Sequence, residues 1–311
     1  MGTCEWALRS GARQTTSRNG RPTVTMCQFC TQHGDGKIWY LQAETYAADL
    51  DTDLERREYL GHFISDFDHT RSLAVALMDQ MVKMPRPLRR LGTNLVSRNL
   101  QANHMGQAVP IEDIDKILDI TTSIVRLPCL CRTHAGHAPE GVCLAITTRP
   151  YDSVLTDAFS ADPAFSDGPD VSSFDHLTKE EALDLLRKCE QRGLMHSIWT
   201  FKSPWVGAIC NCDKPSGCMA MRMTLDYGVK MMWKGEYLVE IDETRCNGCA
   251  ACSGACPFGA LAYDRKRHRP QLEAVKCYGC GTCRASCAQD ALSLAPRREK
   301  IGTVLDPKVA W

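Results

Sequence analysis

The chain has 311 residues, enough for one large domain or two modest ones. Its 37 basic and 37 acidic side chains cancel to a formal charge of zero, which argues against a chain built as a whole to coat nucleic acid or an anionic membrane surface. Apolar residues make up 44%, enough for a core, and 18 cysteines in a chain this long are too many thiols for an ordinary core and the wrong setting for a small secreted disulfide scaffold.

Residues 1–25 hold four Arg and one Glu with no apolar stretch, so we expect a flexible tail and no secretory signal, with Met26 as a candidate natural start. Gly2 would suit myristoylation, but Trp6 stands where Ser or Thr is needed. The longest apolar runs, such as 72–78 and 142–146, are too short to span a bilayer, so a soluble cytoplasmic protein with no membrane insertion is expected.

Next come Cys27 and Cys30 with His33 nearby: a redox pair, half a metal site, or two ordinary thiols. Gly34-Asp-Gly36 is not a phosphate loop, and no GxxxxGK[ST] or strand–GxGxxG–helix pattern occurs, which argues against autonomous ATP or NAD chemistry. Residues 46–63 are charged and amphipathic. Leu73, Val75, Leu77, Met78, Met81 and Val82 predict a helix over 70–83 that stops at Pro85 and Pro87. Ile114, Ile117, Leu118, Thr121, Ile124 and Val125 form one stripe at helical spacing, which predicts a helix over 111–127.

The Asp, Ser, Pro and Ala of 150–173 predict a loop. Thr178 to Glu181 is a capping box ahead of a helix reaching Arg192, with Gly193 placed to end it and Cys189 on its core side. Strands are expected over 197–201 and 205–209. The Met-rich stretch 219–232 reads as core or a greasy interface. The helix over 178–192 and the segment after it could suit a winged helix, but a neutral chain without a basic recognition face is not expected to bind nucleic acid. From Tyr237 the texture changes to short strands, Gly and Cys, and we place a boundary near 235.

The strongest pattern is a duplication at a 31-residue offset: Cys246, Cys249, Cys252 and Cys256 match Cys277, Cys280, Cys283 and Cys287, and Gly248 matches Gly279. Short apolar strands precede and follow each copy. Three thiolates on a tight loop can wrap one face of a cubane, while the fourth, opening a helix, points to the other cluster. The spacing therefore assigns Cys246, Cys249, Cys252 and Cys287 to one [4Fe-4S] cluster, and Cys277, Cys280, Cys283 and Cys256 to a second. Gly248 and Gly279 would let amide N–H groups approach the inorganic sulfurs. Zinc sites use pairs of Cys-x-x-Cys, so zinc fits poorly.

Residues 237–296 thus resemble the bacterial two-cluster ferredoxins. The resemblance implies a βαββαβ-like module that passes single electrons at low potential. The first copy has the expected Cys256-Pro257, whereas the second has Cys287-Ala288, a departure expected to shift local hydrogen bonding. Two such clusters would bring about −4 of charge. Residues 241–311 carry 11 Lys or Arg against 7 Asp or Glu, and Arg265, Lys266, Arg267 and Arg269 form either a solvated, charge-balancing loop or a docking patch for an acidic redox partner.

Upstream, Cys129 and Cys131 lie in a Pro-Cys-x-Cys-Arg segment followed by Cys143, and Cys210 and Cys212 precede Cys218. Thiols two apart on an extended chain can reach one metal centre, and Arg132 and Arg222 could balance its charge. Free buried thiols and zinc are the competing readings. His134 and His137 flank the first segment as candidate ligands or proton relays. Residues 111–296 resemble a prokaryotic family of 4Fe-4S proteins, found mainly in anaerobes, in which a PCxCR segment, a further Cys and a CNC-type segment precede a two-cluster ferredoxin. The spacing here from Cys210 to Cys218 is thinner than in many relatives, so four ligands remain to be drawn from six thiols.

Together these features predict an α+β protein: a tail over 1–25, a helix-rich domain with some strand over 26–235, and a two-cluster ferredoxin-like domain over 236–311. We expect two [4Fe-4S] clusters and a third at the upstream thiols. The expected function is single-electron relay to or from a partner oxidoreductase, as a carrier rather than a catalyst. The alternatives are an iron–sulfur reductase with a substrate or open-site cluster upstream, and a redox-responsive metal-binding regulator.

Overall fold

Alternation along the strands decides the centre of the molecule. The structure is a computed structural model, and it describes residues 14–16, 22–24, 37–47, 53–149, 154–160, 174–302 and 304. The expectations for Cys4, Cys27, Cys30, His33, the Gly34–Gly36 segment and Met26 lie outside the described residues. Strands β1 (Gln14–Thr16) and β2 (Pro22–Val24) pair with each other. Two 3-10 turns, Trp39–Leu41 and Ala43–Tyr46, precede helices α1 (Leu54–Ser65), α2 (Phe67–Val82) and α3 (Arg86–Asn103). There follow β3 (Gly106–Ala108), α4 (Ile111–Ile120), β4 (Ser123–Leu127), the short α5 (Leu130–Thr133) and β5 (Cys143–Thr147). Then come α6 (Val154–Ser160), α7 (Lys179–Gln191), β6 (Met195–Thr200), β7 (Val206–Cys212), α8 (Met219–Leu225) and β8 (Met232–Trp233).

Strands β3 to β8 form one six-stranded sheet in the order β4-β5-β7-β6-β3-β8, antiparallel except for the β3–β8 pair. Successive side chains of a strand point to opposite faces. Leu144, Ile146, Ile198 and Ile209 meet α4, α7 and the aromatic rings of Trp39, Tyr40 and Tyr46 on one face. Cys143, Ala145, Trp199, Ala208 and Cys212 join Leu60, Ile64, Met78, Phe159 and Met221 on the other. Each buried Leu, Ile or Met contributes roughly 2 kcal/mol. The described part of 26–235 holds more helix than strand, as expected, and its two cores lie on the faces of one sheet.

Two local expectations change. The stripe over 111–127 is broken at Thr121, whose extended backbone ends α4; residues 123–127 pair with β5 instead, putting Ile124 and Val125 in opposite cores. Tertiary pairing overrides a run that also satisfies helical spacing. The helix over 70–83 stops before Pro85 and Pro87 as expected, and a further helix begins at once. Both prolines sit at the start of α3, where a missing N–H leaves nothing unpaired. Part of the expected 150–173 loop is α6. The amphipathic stretch over 46–63 divides into a 3-10 turn and α1, capped by Asp53 accepting from the Arg56 amide. The capping box is present as expected: Thr178 Oγ1 accepts from the Glu181 amide and Glu181 accepts from the Thr178 amide.

The last segment contains β9 (Tyr237–Ile241), α9 (Ala251–Ala255), β10 (Leu261–Asp264), β11 (Arg269–Leu272), a 3-10 turn at Thr282–Ser286, β12 (Leu292–Pro296) and α10 (Arg297–Lys300). β9 pairs with β12 and β10 with β11, both antiparallel, so the strand entering the first copy of the repeat pairs with the strand leaving the second. A buried carboxylate joins this segment to α4, and a buried guanidinium braces the segment itself. Asp113 of α4 accepts from Tyr40, Lys116 and the Tyr237 hydroxyl, and the fully buried Arg297 donates to the carbonyls of Gly235, Tyr237 and Cys277.

Candidate metal centre

The duplicated sequence has duplicated geometry. Cys246, Cys249, Cys252 and Cys287 line one small cavity, and Cys256, Cys277, Cys280 and Cys283 line a second. Each group of four mixes three thiols from one copy with one from the other. Gly248 and Gly279 both have positive φ, +76° and +66°. A Cβ there would lie 2.2 Å from the His268 carbonyl oxygen and 2.1 Å from that of Tyr237, so only glycine fits both the angle and the space. Amides point at the sulfurs: Ala260 N–H donates to Cys256 Sγ and Ala291 N–H to Cys287 Sγ, both at 3.3 Å. The expected shift caused by Ala288 in place of Pro257 is absent from this bond, because the donor is four residues on and neither residue supplies it.

The two groups differ in burial. Cys249 is exposed and Cys246 and Cys287 are half-buried, whereas Cys277, Cys280 and Cys283 are all buried. Phe258 stacks on Tyr278 at 3.9 Å, and Tyr278 and Cys280 belong to the core on the thiol-bearing face of the large sheet. Burial pushes the Cys280 thiol up to about 11. A thiol in such a place ionises only when a cation compensates it.

The six upstream thiols converge. Cys210 and Cys212 alternate with Asn211 on β7, so both face the same side, which Cys143 at the start of β5 shares. Cys129 caps α5, Cys131 lies within it, and Cys218 caps α8. Hydrogen bonds link the thiols: Cys131 donates to Cys218, Cys218 to Cys212, Cys212 to Cys210, and both Cys210 and Cys129 donate to Cys143. Bonds from Cys129 and Cys210 hold the Cys143 thiol well below the usual range, while those same bonds and burial push Cys129 and Cys210 up. All fifteen described cysteines are free.

Behind the thiols, Asn211 Nδ2 donates to the Val142 carbonyl and its Oδ1 meets His196 Nδ1 at 2.5 Å, fixing β7 against the residue before Cys143. Beside them lies an apolar cavity of about 210 Å3, walled by Phe63, Phe67, Trp199, Phe201, Met223 and Met231. His104 also lines it. Its ring stacks on Trp199 at 4.9 Å, its Nδ1–H donates to the Thr200 carbonyl, and burial lowers its pKa to about 4. No local pattern marks His104 or these aromatics in the sequence, since they come from α1, α2 and the ends of α3 and β6. The Met-rich stretch serves both as core and as part of this wall.

Other candidates fall elsewhere. His134 packs on Phe67 at 5.4 Å, and neither it nor His137 lines the cavity. Cys189 is core, as its helical position predicts. Arg132 has its own anions, Glu140 and Asp213, and Arg222 leans on Tyr227 and Asp79, so neither is reserved for the thiols as expected; Arg132 still lies close enough to favour the Cys143 thiolate.

Among the described residues, no three His, Cys, Asp or Glu side chains take the geometry that grips a single metal ion. The donor sets nevertheless suit larger soft centres: four thiols around each small cavity with amides aimed at the sulfurs, and six thiols from separate segments, four of them buried, in or against one core. Residues 238–288 match the family model of the 4Fe-4S dicluster domain, so this segment is an iron–sulfur module of the electron-transfer type. No curated protein and no solved structure matches the chain.

Proposed function

We propose that this protein is an iron–sulfur electron-transfer protein with a third centre upstream of its dicluster module. Cys246, Cys249, Cys252 and Cys287 hold the first [4Fe-4S] cluster of a ferredoxin-like βαββαβ module, and Cys277, Cys280, Cys283 and Cys256 hold the second. Four of Cys129, Cys131, Cys143, Cys210, Cys212 and Cys218 hold the third. When bound, each cluster would take up and release one electron. The chain supplies the cages, the amide hydrogen bonds that tune potential, and the apolar walls that exclude water.

The observation that carries the reading is the placing of six thiols, from segments about 80 residues apart, in or against the core that also holds Cys280. This supports a line of transfer. A redox partner meets the exposed first site, the electron moves inward to the second, and the upstream centre lies beyond it, in a reducing cytoplasm. Iron analysis after anaerobic purification tests this. About 12 iron per chain is expected, falling to about 8 in Cys143→Ser with the signals of the module kept. About 8 in the unsubstituted protein would remove the third centre, and iron near zero would overturn the whole reading.

A second reading, a reductase acting at the upstream site, is favoured by one comparison. The cavity beside the upstream thiols is about 210 Å3, against about 20 Å3 at each site of the module. That is room for an uncharged apolar molecule beside the thiols. Addition of indole to the reduced holoprotein is expected to shift the electron paramagnetic resonance of the upstream centre alone. An unchanged spectrum would leave the electron-carrier reading.

A further inference from the structure

Helix α3 packs Val96 and Leu100 inward yet also carries an apolar stripe on its outer side. Its polar residues Thr93, Ser97 and Gln101 face inward. Ser97 Oγ accepts from the Lys230 amide and Gln101 Nε2 donates to the Lys230 carbonyl, both at 2.9 Å. Leu88, Leu91 and Leu95, spaced i, i+3 and i+7, form the outward stripe. Helix α2 adds Leu73 and Leu77 one turn apart, and all five leucines are between 54% and 61% exposed. Val82 and Met84 are exposed at the tip. The pair is held as a firm hairpin: a Cβ at Gly92 would lie 2.7 Å from Met81 Sδ, so the helices meet there at contact distance.

The charge on α3 and the turn before it has one sign. Between Gln80 and Pro110 the chain carries Lys83, Arg86, Arg89, Arg90 and Arg98 and no Asp or Glu. Among the described residues, none of the four arginines has a carboxylate partner. Asp79, the nearest acidic residue, is held by the Tyr227 hydroxyl at 2.5 Å. A zero net charge for the whole chain conceals this segregation. Burying the face against a second copy would set five cations against five, which opposes self-association. The apolar residues are all aliphatic and offer no hydrogen-bonding group to fix register against a protein. Arginine stems can lie along an apolar layer while their heads stay at its polar edge.

From the exposed leucines and the unpaired arginines we infer that the α2–α3 hairpin docks the protein, lying flat, on an anionic lipid surface. No helix among the described residues is long and apolar enough to cross a membrane, so the contact is interfacial. The leucines enter the headgroup boundary and the arginines meet lipid phosphates.

Co-sedimentation of the holoprotein with vesicles tests it. Binding is expected to vesicles of phosphatidylglycerol and phosphatidylcholine, with little to phosphatidylcholine alone, and is expected to weaken as salt rises. The triple substitution Leu88→Ser, Leu91→Ser, Leu95→Ser should reduce binding about tenfold or more, and Arg86→Gln with Arg90→Gln by a similar factor, each with iron content and thermal midpoint unchanged. Equal binding to both vesicle types, or none to either, would overturn the inference. So would binding that both sets of substitutions leave intact. A lower thermal midpoint in the leucine variant would mean that the chain covers its own stripe. A concentration-dependent dimer lost in that variant, or tighter binding to an acidic peptide than to the vesicles, would assign the face to a protein instead.

Discussion

At the scale of single residues, the repeat permits comparison of one site with its copy. Ala250 and Gly281 occupy equivalent places 31 residues apart, and both have left-handed backbone, φ +63° and +80°. A Cβ in that region brings the side chain against the following carbonyl, at about 1 kcal/mol. Glycine in the second copy avoids this strain. Ala250→Gly is therefore expected to stabilise the holoprotein by roughly 1 kcal/mol, read as a rise of about 2 °C in thermal midpoint. An unchanged or lower midpoint would show that Ala250 is not strained. Asn211 shows the opposite dependence on context. Between two cysteines on a strand it must face away from them, and there it bridges His196 and Val142 and so fixes the strand that carries both thiols.

At the scale of elements, the link between β8 and β9 contains a titrating group. Burial pushes Glu236 up to about 7, against a hydrogen bond from Gln107 and the nearby Arg297, which favour its charged form. Its pKa is raised above the unfolded value, so the folded state holds the proton more tightly. The resulting stability is complete below about 4.5 and is lost as pH rises through about 7. Glu236→Gln keeps the oxygen that accepts from Gln107 and removes the charge. Its thermal midpoint should exceed the parent's by more near pH 8 than near pH 5.5. The same difference at both pH values would contradict this. The elements themselves were legible where a signal was local: the capping box at Thr178, Gly193 with φ +79°, and the strand partners of the repeat. Elsewhere local signals misled. Residues 123–127 satisfy helical and strand periods alike, and the partner strand β5 resolves the ambiguity. Pro85 and Pro87 stop one helix and start another, and only packing against Met81 shows that the second exists.

At the scale of the molecule, burial orders the centres we propose: an exposed first site, a covered second, and six thiols in or against the larger core. Two contacts join the two parts that this order spans: the Asp113–Tyr237 bond and the two-pronged Glu112–Arg284 pair, whose Arg284 Nη2 lies 2.9 Å from Glu112 Oε2. Electron transfer falls steeply with separation, so such fixed contacts suit a relay better than a tethered carrier. The zero formal charge also changes meaning at this scale. Clusters would add negative charge on one side of the molecule, while α3 and the turn before it gather unpaired positive charge on another.

The sequence by itself determined the two groups of four thiols in the module and the glycines between them, because those constraints act over a few bonds. A Cys-x-x-Cys-x-x-Cys loop has little freedom in where its sulfurs point, and a positive φ is written in a single residue. It also showed that the upstream cysteines come in close pairs. Only the tertiary structure decided that the pairs converge on one core, that aromatic rings and His104 wall a cavity beside them, and that α3 turns three leucines outward. Those outcomes depend on which strands pair and which helices cover them, and such contacts join residues too far apart in the chain for any local pattern to encode.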